Sequence, residues 1–343
     1  MVDDSASVRA VLRRFFARQS DFEIAGEAEN GALAVEAALA LRPDAIVMDL
    51  QMPVLDGYAA IERIMHQRPT PIVVLSSRAN RDLMRTAFEA MRRGALEVLP
   101  KPEDTAEWNQ LALALPETLR AAVRTRAVAP PERPAPLSSP PTRPAPGPAA
   151  GRHLRWVAIG ASTGGPVALR DLLAAIPAGA PASFLIVQHI AAGFEEGLAD
   201  WLTHEVALGV RLAADGEAPP PGCVLLAPAH HHLRLEPTGR LRLDALTPPR
   251  RGHRPSADEL LLSVAGCAPR QSAGVLLTGL GSDGVEGLLA LHTAGGLTLA
   301  QDQASSAVWG MPRVALERGA AQLALAPTEI ARVLCEAWER PGR

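Results

Sequence analysis

One stretch decides the fold class: Trp156-Val157-Ala158-Ile159-Gly160-Ala161-Ser162-Thr163-Gly164-Gly165-Pro166, an apolar run that passes into small residues and a proline. Apolar side chains then recur at helical spacing, at Val167, Leu169, Leu172 and Leu173. A short apolar run, a tight turn and an amphipathic helix make up one β/α unit of a parallel sheet. The stretch therefore predicts a buried strand that ends in a sharp turn before a helix.

The turn contains Gly160-Ala161-Ser162-Thr163-Gly164, which satisfies the pattern G-x-S-x-G. Small neighbours allow a sharp turn that exposes the Ser162 hydroxyl, and N–H groups at a helix start can receive an oxyanion. Glycine-rich turns also bind phosphates, but this stretch lacks the glycine spacing of G-x-G-x-x-G and has no Gly-Lys-Ser/Thr. The motif therefore indicates a nucleophilic serine more than a nucleotide site.

Working outward, the C-terminal half repeats the β/α rhythm. The other apolar runs that predict strands are Phe184–Val187, Cys223–Leu226, Val275–Leu277 and Leu297–Leu299. Alternating apolar residues over Arg234–Leu243, around Thr238-Gly239, add a predicted β-hairpin. The half is therefore predicted to be a large α/β domain with a parallel sheet and one hairpin.

Parallel strands deliver the residues that follow them to one edge of the sheet. The run that ends at Val187 is followed by Gln188-His189, and the run that ends at Leu277 is followed by a loop with Asp283. A serine nucleophile needs a base and an orienting acid, so Ser162, His189 and Asp283 are predicted to form a triad. Capping of the predicted helix Val285–Leu291 is the alternative role for Asp283.

The N-terminal half shows the same rhythm. Its predicted strands are Phe22–Ala25, Ala45–Met48, Ile72–Leu75 and Leu96–Leu99. Between the second and third lies a predicted helix, Gly57–Met65, in which Tyr58, Ile61, Ile64 and Met65 share a face. A second parallel α/β domain follows from this pattern.

Acidic, hydroxyl and basic residues follow the N-terminal strands. They are Asp3, Asp4, Asp49, Ser76 with Ser77, and Lys101, which is the only lysine in the chain. Carboxylate oxygens suit a hard divalent cation, whereas an ammonium and a hydroxyl suit phosphate oxygens. The set predicts a site for Mg²⁺ and a phosphoryl group at one sheet edge.

Composition divides the 343 residues into two domains and a linker. Nine prolines fall between Pro130 and Pro148 among small and polar residues, which is typical of a semi-extended spacer. The predicted boundaries are residues 1–122, 123–151 and 152–343. The three cysteines share no C-x-x-C spacing, and no apolar run reaches the ~18 residues of a membrane span. The given sequence opens on acidic Met1-Val2-Asp3-Asp4 rather than on a basic signal region, so a cytoplasmic protein is expected.

Residues 1 to about 120 resemble a response-regulator receiver domain. The resemblance rests on Val2-Asp3-Asp4-Ser5, Ile46-Val47-Met48-Asp49-Leu50-Gln51-Met52-Pro53 with Asp56-Gly57, Leu75-Ser76-Ser77, and Gly94-Ala95 through Lys101-Pro102. It implies a flavodoxin-like fold in which Asp49 accepts phosphate from a histidine kinase and Asp3 and Asp4, with Asp49, hold Mg²⁺. Ser76 is then the switch hydroxyl, and Lys101 contacts the phosphoryl group.

Two features depart from the receiver pattern. The position three residues before the lysine is usually aromatic and here is Val98. Receivers also begin with an apolar strand before the acidic pair, and only Met1 and Val2 precede Asp3. Loss of a central strand leaves unpaired backbone groups, so we expect that the natural protein starts upstream of Met1 or that this receiver folds poorly.

Residues 154–338 resemble the catalytic domain of CheB chemoreceptor methylesterases. The resemblance rests on the triad residues with Arg254-Pro255-Ser256-Ala257-Asp258 and Trp309-Gly310-Met311-Pro312. It implies hydrolysis of glutamate methyl esters on methyl-accepting chemoreceptors, with glutamine deamidation, by attack of Ser162, proton transfer by His189 and orientation by Asp283. It also implies a CheA-type kinase as phosphodonor and no cofactor for the esterase. From the two-domain architecture we expect the unphosphorylated receiver to cover the Ser162 rim and phosphorylation at Asp49 to loosen that contact.

Four other features invite functional interpretations. His230-His231-His232 suggests a metal, but consecutive histidines splay apart, so a structural or site-rim role is favoured. Ser256 is an alternative nucleophile, although a helix cap before Leu260–Val264 is the simpler role, and Asp302 is a rival acid. Leu280 stands where the family often has methionine. If this position donates its backbone N–H to the oxyanion, the change of side chain has little effect.

Three other classes of protein compete with the hydrolase. Residues 152–343 hold 16 arginines, no lysine and 18 acids, which is not the basic footprint of a DNA-binding regulator. A dinucleotide-dependent oxidoreductase leaves the placement of His189 and Asp283 unexplained. A catalytically idle scaffold is separated from an enzyme by turnover of a model ester. No nucleic acid and no inserted membrane is expected as a partner.

Overall fold

The computed structural model describes residues 1–76, 81–124 and 154–339. The chain divides into two compact units, Met1–Pro131 and Glu132–Arg343. Nearly all of the predicted linker and Ser77 lie outside the described residues, so the boundaries at 122 and 151 stay predictions. In the part of the chain that is described, no helix has both the length and the apolar character needed to cross a bilayer.

The first unit alternates helices with parallel strands, as predicted. Its elements are α1 (Ala6–Phe16), α2 (Gly31–Leu41), β1 (Ile46–Asp49), α3 (Gly57–Gln67), β2 (Ile72–Ser76), α4 (Arg81–Arg92), β3 (Glu97–Pro100) and α5 (Thr105–Arg124). The three strands pair in parallel in the order β1-β2-β3. Val2 adds parallel bridges to Met48 on one side and to Ala28 on the other. The segment around Ala28 therefore lies on one side of Val2, and β1, β2 and β3 follow on the other side. This reversal of strand order is the doubly wound, flavodoxin-like arrangement.

The segment that precedes Asp3 makes only the beginning of a strand. Val2 donates its N–H to the Val47 carbonyl at 2.8 Å, and the Met1 carbonyl accepts from Ala28 at 3.0 Å. The predicted strand at Phe22–Ala25 is wrong: these residues are irregular, because the neighbouring position offers them no extended partner. A cavity of about 610 Å³, lined in part by Phe22–Ala28 and Ile46, lies beside them.

One core cluster joins α1 and α5 to the receiver sheet. Its buried members are Leu12, Phe16, Val47, Val73, Leu75, Leu111, Leu115 and Leu119. Local caps set where the helices begin, because Ser5, Asn30 and Asp56 each accept a hydrogen bond from a backbone N–H of the first turn. The expectation of an upstream start or a poorly folded receiver stays a prediction.

The second unit is larger. Its elements are β4 (Trp156–Ala161), α6 (Gly165–Ala174), β5 (Ser183–Gln188), α7 (Glu195–Glu205), β6 (Gly209–Leu212), β7 (Cys223–Leu226), β8 (His232–Leu235), β9 (Leu241–Asp244), α8 (Ala257–Cys267), a 3₁₀ turn (Pro269–Gln271), β10 (Ser272–Leu276), α9 (Val285–Thr293), β11 (Leu297–Gln301), α10 (Met311–Glu317), β12 (Leu323–Leu325) and α11 (Pro327–Glu339). Seven strands form a parallel sheet in the order β12-β11-β10-β4-β5-β7-β6, and β8 pairs with β9 as the predicted antiparallel hairpin.

The sheet order places a switch point beside β4. From β4 the chain builds β5, β7 and β6 on one side, then returns to build β10, β11 and β12 on the other. Ligands bind where the carboxyl ends of strands diverge at such a point. Residues 156–166 therefore supply the central strand of this sheet and the turn at the carboxyl edge beside it.

Candidate active site

The predicted triad residues follow three neighbouring strands. In the register of β4 and β5, Ala161 pairs with Gln188, so Ser162 and His189 are the next residues of adjacent strands. The His189 N–H donates to the Ala161 carbonyl at 2.9 Å, and the Ser162 N–H donates to the Thr278 carbonyl at 3.0 Å. Backbone hydrogen bonds thus fix the strand ends on both sides of the half-buried Ser162.

His189 and Asp283 are in direct contact. The distance from His189 Nε2 to Asp283 Oδ2 is 2.8 Å, and the two side chains are 8% and 2% exposed. Within the described residues, His189 Nδ1 is buried and has no hydrogen-bond partner. Because the carboxylate can only accept, it holds the proton on Nε2 and leaves the Nδ1 lone pair free to take one.

Asp283 also lies against the N-terminus of α8. It accepts hydrogen bonds from Ser256 Oγ at 2.7 Å, from the Ala257 N–H at 2.6 Å and from the Asp258 N–H at 3.2 Å. Burial acts to raise the pKa of Asp283, but the hydrogen bond and charge of His189, then those of the helix start, outweigh it and lower this pKa. The carboxylate therefore stays ionised beside His189.

The loop after β10 packs tightly on the Ser162 turn. A Cβ atom placed on Gly279 would lie 2.5 Å from Ser162 Cβ and 2.6 Å from Met311 Sδ, so no larger residue fits there. The Gly279 carbonyl accepts from the Met311 N–H at 2.8 Å, which ties the loop to the start of α10. Leu280 is 41% exposed beside this packed position.

Gln188 supports two triad residues from behind, a role that sequence reasoning missed. Its Nε2 donates to the carbonyls of Ser162 and His189, both at 2.9 Å. The side chain is buried and spans the ends of β4 and β5. The signal available in the sequence was a polar residue at the last position of an apolar strand, directly before His189.

The predicted receiver residues also come together. Carboxylate oxygens of Asp3, Asp4 and Asp49 lie within 4.8 Å of one another. Lys101 Nζ lies 2.9 Å from Asp3 Oδ2 and 2.6 Å from Asp49 Oδ2, and the Lys101 N–H donates to the Ser76 carbonyl at 2.7 Å. Three acids, a hydroxyl residue at a strand end and one lysine thus share this edge.

Burial decides the direction of the pKa shift at Asp49 and is outweighed at Lys101. Desolvation raises the pKa of Asp49, the bond to Lys101 opposes this, and the Asp3 charge adds to the rise. Desolvation acts to lower the pKa of Lys101, but its hydrogen bonds to Asp49 and Asp3 raise it. Val98, at the position that is usually aromatic, is buried in β3. Two buried carboxylates and the exposed Asp4 form an oxygen donor set that fits Mg²⁺ with some of its waters retained.

The remaining candidates make contacts that hold helix starts and loops, and Ser256 in addition contacts Asp283. His232 is buried, with Nε2 3.1 Å from the Pro248 carbonyl, and His231 Nδ1 is 2.9 Å from the Ala229 carbonyl, so the histidine run does not converge. Ser256 caps α8 by accepting from the Glu259 N–H. Asp302 Oδ1 accepts from the N–H and Oγ of Ser305 and holds that loop.

The two units together define a class of protein. One has the receiver fold with an acidic cluster and a lysine, and the other has a serine, histidine and aspartate at the switch point of a parallel sheet. This combination is a response regulator with a hydrolase-like output domain.

Two family models match the chain, CheB methylesterase over residues 157–334 and response regulator receiver domain over residues 1–112. The chain belongs to the CheB methylesterase family, and the resemblance stated from the sequence is confirmed.

Named relatives cover almost the whole chain. A protein-glutamate methylesterase/protein-glutamine glutaminase of Paramagnetospirillum magneticum is 43% identical and covers 98% of this chain and 94% of that protein. One from Myxococcus xanthus is 42% identical and covers 100% and 97%. The crystal structure of the Thermotoga maritima CheB methylesterase catalytic domain has 35% identity, a TM-score of 0.52, and covers 53% of this chain and 98% of that one.

Proposed function

We propose that this chain hydrolyses methyl esters of glutamate side chains on chemoreceptors, releases methanol, and deamidates glutamine side chains at the same site. The observation that carries the proposal is the His189–Asp283 pair beside Ser162. Asp283 holds the Nε2 proton at 2.8 Å, and the buried Nδ1 stays without a partner among the described residues. The names of the relatives supply the substrate class.

The chemistry follows from this arrangement. Ser162 Oγ attacks the ester carbonyl carbon, and its proton passes to His189 Nδ1. The tetrahedral intermediate collapses, the C–O bond to the methyl group's oxygen breaks, and His189 returns the proton to form methanol. Water then attacks the acyl-serine with His189 again as base, and glutamate leaves as the carboxylate. With a glutamine substrate, ammonia leaves in place of methanol.

The charge that develops on the substrate oxygen needs donors. Helix α6 begins at Gly165, three residues after Ser162, and its N-cap Gly164 provides no side-chain cap. The first N–H groups of a helix point away from its body and carry partial positive charge. In α6 the Gly165 N–H already donates to the Ser162 carbonyl at 2.7 Å, and Pro166 has no N–H. The Val167 N–H, together with the positive field of the helix start, is therefore proposed to stabilise the oxyanion beside Ser162.

Loss of the serine tests the esterase proposal. We expect Ser162→Ala to reduce methanol release from methylated chemoreceptors by at least ~10³-fold, because the nucleophile is removed while the fold is kept. Ser256→Ala removes the rival hydroxyl together with one hydrogen bond to Asp283, so we expect a much smaller loss of activity, about tenfold or less. Equal turnover by Ser162→Ala and the unaltered chain, with Ser256→Ala inactive, contradicts the assignment.

The receiver is proposed to regulate this activity. Asp49 accepts a phosphoryl group from a histidine kinase of the CheA type, while Asp3, Asp4 and Asp49 hold Mg²⁺ and Lys101 pairs with phosphate oxygens. Mg²⁺ supplies charge neutralisation at the phosphoryl group when it is bound. The clustered carboxylate oxygens and the lysine contacts support this role.

Blocking the phosphoacceptor tests regulation separately from catalysis. We expect a small-molecule phosphodonor with Mg²⁺ to increase methanol release by the unaltered chain and to leave Asp49→Asn at its basal rate. The basal rates of the two proteins are expected to agree, since Asp49 is not part of the esterase site. Phosphodonor stimulation of Asp49→Asn overturns the assignment of Asp49.

A further inference from the structure

His253 stacks on the histidine of the triad. The ring centroids of His189 and His253 are 3.8 Å apart, and the ring planes are within 3° of parallel. Neither composition nor spacing singled out this residue, which stands one position before Arg254-Pro255-Ser256. At this separation the two rings are in van der Waals contact, so His253 covers one face of the His189 imidazole.

A stapled turn holds His253 in place. Arg250 and His253 exchange two backbone hydrogen bonds, at 3.0 and 2.9 Å, across a turn in which Arg251 and Gly252 have φ values of 50° and 86°. Two consecutive positive φ values are the geometry of a tight hairpin turn. The backbone of His253 is therefore fixed independently of its ring.

Ion pairs tie the same turn to two helices. Arg250 contacts Glu259 Oε1 at 2.9 Å on α8 and Glu286 Oε2 at 2.6 Å on α9. Arg251 also pairs with Glu286 and lies 3.4 Å from Asp258 Oδ2. The first residues of α8 also donate their N–H groups to Asp283. The turn and the triad carboxylate are therefore both attached to the start of α8.

We propose that His253 is a positioning residue of the esterase, whose stacked ring holds the His189 imidazole in the plane that joins Asp283 to Ser162. The inference rests on the proposed triad chemistry. Rotation of the His189 ring about its Cβ–Cγ bond would sweep through the His253 ring, so the stack limits this rotation. A general base that is held in the reactive orientation accepts the proton more efficiently than one whose ring is free to rotate.

The charge state of His253 suits this role. Desolvation, then the charge of His189, lower the pKa of His253 to about 4, against a smaller opposing effect of Asp283. The stacked ring is therefore neutral near pH 7 and does not repel the imidazolium that forms on His189 during attack. A permanently charged side chain at this position would do so.

Ring-less and ring-bearing substitutions separate positioning from other roles. In the full chain, we expect His253→Gln and His253→Ala to lower kcat about tenfold with little change in KM, because the stack is lost and substrate contacts are not. His253→Phe, which keeps a flat ring, is expected to stay within about threefold of the unaltered chain. His204→Ala, a histidine that contacts the Asp200 carbonyl of its own helix, is the control and leaves kcat unchanged.

Histidine ring NMR provides a readout that needs no turnover. We expect the His189 ring protons to show an upfield ring-current shift in the unaltered chain and in His253→Phe, and to lose it in His253→Gln. Wild-type kcat in both ring-less variants, or a His253→Phe variant as impaired as His253→Gln, overturns the proposal. Full activity of Ser162→Ala would instead defeat the triad and leave the NMR test of stacking intact.

Discussion

Two aspartates lie at the carboxyl edges of the two parallel sheets, and their pKa values shift in opposite directions. Asp49 is the last residue of β1, and Asp283 lies in the loop after β10, each at the carboxyl edge of a parallel sheet. Burial raises the pKa of Asp49, whereas hydrogen bonds to Asp283 outweigh burial and lower its pKa. The topology places a carboxylate at the edge, and the surrounding donors decide what that carboxylate does.

The donors explain the difference in role. Asp283 receives His189, a serine hydroxyl and two N–H groups of a helix start, which satisfy both of its oxygens. These contacts keep Asp283 ionised, which suits the proposed role of orienting His189. Asp49 Oδ1 accepts from the Leu50 N–H at 2.7 Å and the Gln51 N–H at 3.4 Å, and Oδ2 shares one lysine with Asp3. Desolvation and the neighbouring Asp3 charge outweigh these contacts and raise the pKa of Asp49. Such a carboxylate favours a divalent cation and chemistry that removes its charge.

The largest expected effect breaks the orienting role of Asp283. We expect Asp283→Asn to lower kcat by about 10⁴-fold, because an amide no longer holds the His189 proton on Nε2 or stabilises the imidazolium. Asp302→Asn is the matched control, since Asp302 contacts Ser305 and not the triad, and it should stay near full activity. Methanol release by both variants is the measurement. Similar losses in the two would refute the comparison.

The next effect concerns stability and has opposite signs at the two aspartates. A lowered native pKa stabilises the fold above the unfolded value near 3.8, and this contribution is lost as pH falls through the native pKa. At pH 7 we therefore expect Asp283→Asn to lower the free energy of unfolding by about 2 kcal/mol. Asp49→Asn, which removes a charge whose burial is unfavourable, should leave stability unchanged or raise it by up to about 1 kcal/mol.

Urea unfolding checks this pair of signs. The difference between the unaltered chain and Asp283→Asn should shrink below about pH 4, where Asp283 also becomes protonated in the unfolded state. If Asp49→Asn is destabilised at pH 7 and Asp283→Asn has the stability of the unaltered chain, the signs assigned to the two carboxylates are wrong.

The smallest expected effect sharpens the picture of the receiver site. Lys101→Met leaves Asp3 and Asp49 without their shared cation, and the lysine side chain is only 23% exposed. We expect a loss of about 1 to 2 kcal/mol in receiver stability, discounted for the partial exposure of the pair.

Mg²⁺ provides the control for this variant. Millimolar Mg²⁺ should raise the melting temperature of Lys101→Met more than that of the unaltered chain, because the metal replaces the missing positive charge. No Mg²⁺ effect on either protein would contradict the metal site.

Most of the fold could be predicted because buried parallel strands have continuous apolar runs. The strands β4, β5, β7, β10 and β11 were all predicted within a few residues. The strands β6 (Gly209–Leu212) and β12 (Leu323–Leu325) were missed, because they form the two edges of the sheet and their residues are partly exposed. The error at Phe22–Ala25 has another cause, since an apolar run becomes a strand only beside a partner.

The candidate site residues could be located where one topological rule applies and were missed where a side-chain contact defines the role. Ser162, His189 and Asp283 each follow a predictable strand, so one topological rule locates them. Gln188 and His253 act through side-chain geometry, a hydrogen-bonded bridge and a ring stack, that no periodicity encodes. Ser256 was identified as a cap, but its hydrogen bond to Asp283 depends on how α8 packs against the β10 loop.

The central claim is that Ser162 is the nucleophile and that His189 activates it. The most direct measurement is labelling of the full chain with an active-site-directed alkyl phosphonate, followed by mass spectrometry of the digested protein. We predict one adduct, on the peptide that contains Ser162, which Ser256→Ala retains and His189→Ala loses. An adduct on Ser256, or undiminished labelling of Ser162 in His189→Ala, would contradict the claim.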